Sequence, residues 1–81
     1  MADKTPGIGD ILVIEKANGH CDVKEMLPTG EWGYFREGDV GDLKSAMEIA
    51  RVRLEHVNGR NVWYRFESEP DTEMVPFKRR S

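Results

Sequence analysis

His20 and Cys21 stand side by side, the two residue types from which a thiolate nucleophile and its general base are built. On an extended strand, sequence neighbours point to opposite faces, so these two side chains cannot hydrogen-bond to one another. Cys21 reads instead as a small core residue, and His56, with no acidic partner obliged by spacing, as a surface histidine. One cysteine and two histidines leave no zinc-ligand spacing and no intrachain disulfide, which fits a reducing, cytoplasmic setting.

Two carboxylate pairs, Asp39 with Asp42 and Glu67 with Glu69, have the composition of an acid–base or metal site. Their positions at a helix start and a strand end give them ordinary capping and solvation roles, and no calcium-loop pattern surrounds either pair. Gly7-Ile8-Gly9 is not a phosphate loop, because it precedes a strand and no lysine-serine or lysine-threonine pair follows. The expectation is a non-catalytic chain with no cofactor and no metal.

The remaining chemistry is that of recognition. Trp32, Tyr34, Trp63 and Arg65 are the residue types that anchor protein interfaces. The same rings could stack bases of a single strand, with Arg60, Lys78, Arg79 and Arg80 reaching phosphates. A net charge of -3 argues against blanket attraction to nucleic acid. Charge is uneven, however: residues 1 to 50 carry ten acidic and five basic side chains, and residues 51 to 81 carry five acidic and seven basic. The leading expectation is a module that binds an unknown protein partner or itself through an open sheet face, in an accessory or inhibitory role. Single-stranded nucleic acid is the alternative ligand. Cover of these aromatics by the tail from Met74 to Phe77, or their ordinary packing, is the bland alternative to both.

These residues must be positioned by a small domain. At 81 residues the chain buries only about 60% of its unfolded surface, enough for one core. Leu43, Ala46, Met47, Ala50, Leu54 and Val57 recur at helical spacing and form one apolar stripe, predicting a helix from Asp42 to Val57. Asp39 or Asp42 caps its start, and Asn58-Gly59 closes it with glycine as the left-handed residue. Val52 lies on its exposed side among Ser45, Glu48, Glu55 and His56, where pairs such as Glu48 with Arg51 and Arg51 with Glu55 mark a solvated face.

The run Ile11-Leu12-Val13-Ile14 followed by Asn18-Gly19 predicts a hairpin with a two-residue turn. That register pairs Ile14 with Val23 and Leu12 with Glu25, and gives Leu12, Ile14, Cys21 and Val23 one shared core face. Pro28-Thr29-Gly30 turns the chain into a third strand, Trp32 to Glu37. A three-residue loop pairs Met26 with Trp32 and Val23 with Phe35, exposing Trp32 and Tyr34; a four-residue loop turns both inward. Val62, Tyr64 and Phe66 form the inward set of a fourth strand, leaving Trp63 and Arg65 outside. Met74 to Phe77 contains Pro76 and is either an edge strand or an extended tail.

The fold class that follows is α+β: a small antiparallel sheet of order β-β-β-α-β, with that fifth edge strand optional, and one helix across one face. Residues 1–9 read as a flexible leader without signal-peptide character, 10–77 as the single domain and 78–81 as a basic disordered tail. No stretch approaches membrane-spanning length.

Overall fold

The computed structural model describes residues 6–70 and 75–76, with 34–39 and 75–76 by backbone alone. The elements are β1 (Ile11–Glu15), β2 (Cys21–Met26), β3 (Trp32–Val40), α1 (Leu43–His56), β4 (Val62–Phe66) and β5 (Val75–Pro76). They confirm the small α+β architecture of one sheet and one helix. The sheet order is β3-β2-β1-β4-β5. Met74 and Phe77 lie outside the described residues; Val75 and Pro76 between them form the short edge strand.

Two features depart from the expected sheet. First, β1 and β4 run parallel, so the sheet is mixed. The helix provides the crossover that a parallel neighbour requires. Second, the β1–β2 register is shifted by one residue: Val13 faces Val23 and Ile14 faces Asp22. The cause is the turn. Lys16 N–H donates to the His20 carbonyl and Gly19 N–H to the Lys16 carbonyl, with Gly19 at φ 88°, so the loop is Ala17-Asn18-Gly19 rather than two residues. A three-residue loop closed by a left-handed glycine sets a different pairing, and a one-residue slip exchanges the faces of a whole strand.

Ile11 and Val13, with Cys21 and Val23, therefore face the helix and pack with Ala46, Met47, Ala50, Val40 and Val62. Leu12 and Ile14 face away and pack with Trp63. All four residues of the Ile11–Ile14 run are buried, as expected of a central strand covered on both sides. Glu25 shares the helix side, where its Oε1 accepts from Arg53 Nε at 2.9 Å.

The two ends of α1 are fixed by its own sequence. Asp42 is the N-cap, its Oδ1 accepting from Ser45 N–H at 2.8 Å, which holds its carboxyl below the usual range. At the other end Asn58, at φ 58°, takes the left-handed position expected of glycine. Asn58 N–H donates to the Glu55 carbonyl and Gly59 N–H to the Leu54 carbonyl, the paired bonds of a Schellman ending. Gly59 is needed for a different reason: a Cβ there would sit 2.1 Å from the Gly9 carbonyl oxygen and 2.5 Å from Leu54 Cδ1.

Both sheet edges are blunted. β3 pairs with β2 through two register shifts, and β5 contains Pro76. Bulges and proline each discourage pairing with another chain.

Candidate functional site

One carboxylate organises the junction from which the candidate surfaces extend. Asp10 directly precedes β1 and is 1% exposed. Its Oδ1 accepts from the backbone N–H groups of Arg60 (2.9 Å) and Asn61 (3.1 Å), and its Oδ2 from Gly7 N–H and Trp63 Nε1–H, both at 2.9 Å. Burial pulls the carboxyl upward, but the four donors outweigh it and hold it below its ordinary value. Gly9 N–H also donates to the Met26 carbonyl, so Gly7 and Gly9, assigned to the leader by sequence, are fastened to the domain.

Trp63 is the main correction to the expected surface. Its indole is 1% exposed, enclosed with Leu12 and Ile14 on the side away from the helix. Strand alternation does turn it from the helix, as expected. That side is not left open: Leu12 and Ile14 are buried there with Trp63, Trp32 packs against them, and Asp10 supplies the buried acceptor an indole N–H requires. A ring in this position has no open face for a partner or for a base.

Of the other expected anchors, Trp32 is brought against Trp63 and Arg65 is tied to its own turn. Trp32 pairs with Met26, as the three-residue loop requires, and is half-buried against the Leu12–Ile14–Trp63 cluster. Beyond Tyr34 the register departs from expectation, with Val23 opposite Arg36 rather than Phe35; the side chain of Tyr34 lies outside the described set. Arg65 is half-buried, and its Nη1 donates to the carbonyls of Phe66, Glu67 and Glu69, at 2.7 Å for Glu69, which ties it to its own turn. Lys16 and Asp22 form an ion pair at 3.2 Å. Lys78, Arg79 and Arg80 lie outside the described residues, while Arg60 is exposed beside α1.

Arg60 belongs to a surface that sequence reasoning assembled only in part. An open groove of about 680 Å3 runs between α1 and β4. Met47, Val52, Leu54 and Val62 supply its apolar lining, and Glu48, Arg51, Glu55 and Arg60 its charged one. Val52 is 71% exposed, the most exposed large hydrophobic among the described residues. Helical spacing identifies the Glu48–Val52–Glu55 side. Nothing in the sequence reveals that Arg60 and Val62 face it, because that depends on Asp10 gripping the loop after α1.

Titratable groups elsewhere serve structure. Tyr64 Oη donates to Glu15 Oε1 at 2.5 Å, and this bond, followed by burial and nearby negative charge, pushes its pKa up to about 12. Burial also pushes the Cys21 thiol up, as in an inert core cysteine. Among the described residues no three metal-ligating side chains converge, and no helix is long and apolar enough to cross a membrane. Comparison with family models, curated proteins and solved structures finds no match to this chain.

Proposed function

We propose that the chain is a small non-catalytic binding module, acting in the cytoplasm, that receives a protein partner in the groove between α1 and β4. The observation that carries this reading is the exposure of Val52 in the lining of a concave surface that also contains Met47, Leu54 and Val62. A partner pressed onto that surface removes apolar area from water, at roughly 25 cal/mol per Å2 before the costs of association. The charges around it define the partner's chemistry. Glu48 and Glu55 along the helix suit basic side chains, and Arg51 and Arg60 suit acidic ones. The fitting occupant is a short amphipathic protein segment of mixed charge, apolar side inward.

This reading moves the contact surface from the sheet to the helix. Trp32, Tyr34 and Arg65 remain on the sheet, but without the Trp63 ring they lose the centre of the proposed aromatic patch. Sheet-edge pairing between copies is discouraged by the bulged β3 and the proline-bearing β5.

The test uses peptides selected from a random displayed library against the immobilised protein, then mapped by amide chemical shifts. Binders should perturb Met47 to Glu55 together with Arg60 to Val62. Perturbations confined to Trp32 and Arg65, or a library that yields no binder, would overturn the assignment.

A further inference from the structure

The chain contains the Asn-Gly dipeptide twice, at Asn18-Gly19 and Asn58-Gly59, and the fold treats the two in opposite ways. We propose that Asn18 is a site of spontaneous deamidation, and that Asn58 is protected from the same reaction by its place in the fold.

The reaction needs no enzyme or co-reactant other than water. The backbone nitrogen of the following glycine, after losing its proton, attacks the asparagine Cγ. A new N–Cγ bond forms, the bond from Cγ to the side-chain amide nitrogen breaks, and ammonia departs carrying the proton. The five-membered imide that results is opened by water at either carbonyl, giving aspartate or its β-linked isomer. Glycine favours the attack because no Cβ hinders its nitrogen and its backbone reaches conformations closed to other residues.

At Asn18 the motion required is local. Residues 17–20 are exposed, and an added Cβ at Gly19 would meet nothing within 4 Å. Two bonds restrain the dipeptide: Gly19 N–H to the Lys16 carbonyl at 3.0 Å and His20 N–H to Asn18 Oδ1 at 3.0 Å. Both lie within an exposed turn, which opens without disturbing the strands.

Asn58 is exposed too, yet its glycine cannot move alone. Gly59 N–H donates to the Leu54 carbonyl at 2.9 Å, and the Gly59 backbone packs against Gly9 with no room for a methyl group. The next two N–H groups, of Arg60 and Asn61, are held by buried Asp10. Freeing the nucleophile therefore means undoing the helix ending and the Asp10 clasp together, an opening near the scale of global unfolding.

Conversion at Asn18 adds one negative charge to the loop that sets the β1–β2 register. In its β-linked form it also lengthens the backbone there by one carbon.

The experiment is peptide mapping by mass spectrometry, with chromatographic separation of the β-linked isomer, after incubating the intact chain at mildly alkaline pH with and without urea. In the native protein Asn18 should convert at least about tenfold faster than Asn58, and in urea the two rates should converge. Equal rates in the native protein, or an Asn18 that resists conversion as well as Asn58 does, would overturn the proposal.

Discussion

Both sides of the central strand β1 are buried, but among different neighbours. On one side the closure is a whole helix, whose Ala46, Met47 and Ala50 meet Ile11, Val13 and Val23 over a broad apolar contact. On the other, Leu12 and Ile14 pack with Trp63 and the half-buried Trp32, and the Trp63 indole nitrogen is fixed to Asp10. The contrast shows that both sides of the central strand are buried although the one helix lies on only one of them, and that the indole buried on the other side has its N–H satisfied by a buried carboxylate. The side that holds Trp63 should be the more fragile, because its buried cluster is smaller than the one under the helix.

The most damaging test of that contrast is Trp63→Ala. Removing a fully buried indole costs about 3–5 kcal/mol, a large share of the stability of any small domain. Urea denaturation should show the variant largely unfolded or marginally stable.

Next comes Gly59→Ala, which forces a methyl group against the Gly9 carbonyl and should cost more than about 2 kcal/mol. The same change at Gly41, where a Cβ meets nothing within 4 Å, serves as the control and should cost far less.

Asp10→Asn replaces one acceptor oxygen by an amide that donates toward N–H groups, and should cost about 1–3 kcal/mol. Its pH dependence sharpens the point. The folded-state pKa of Asp10 lies below 3.8, so its contribution is complete above that value and lost as pH falls through the folded pKa. The stability gap between the native chain and the variant should be wide at neutral pH and close in strong acid.

The smallest expected effect on stability is that of Val52→Glu, within about 0.5 kcal/mol, because the side chain is mostly exposed. Peptides selected against the groove should nevertheless lose their affinity for it. Equal losses of fold and binding would mean that Val52 supports the core instead of a contact surface.

The sequence was most informative where signals are local. The stripe from Leu43 to Leu54, the Asp42 cap and the turns at Gly19 and Gly30 are written in residue types and spacing, and the corresponding elements stand where they are expected. Register was harder to read, because Asn18-Gly19 suits two-residue and three-residue loops alike, and the difference exchanges Leu12 for Val13 at the helix. The uninterrupted run Ile11 to Ile14 carried the better clue, since a strand buried on both sides has no reason to alternate. The direction of β4, the grip of Asp10 on Trp63 and the meeting of Arg60 with α1 are contacts between residues far apart in the chain. No local pattern encodes them.

Hydrogen exchange of the two indole N–H groups, followed by NMR in heavy water, tests the central claim most directly. The Trp63 Nε1–H, buried and donating to Asp10, should persist until the domain unfolds globally, while that of half-buried Trp32 is replaced much sooner. A Trp63 signal that vanishes as quickly as that of Trp32 would contradict the account, and would reopen the sheet face as a place for a partner to bind.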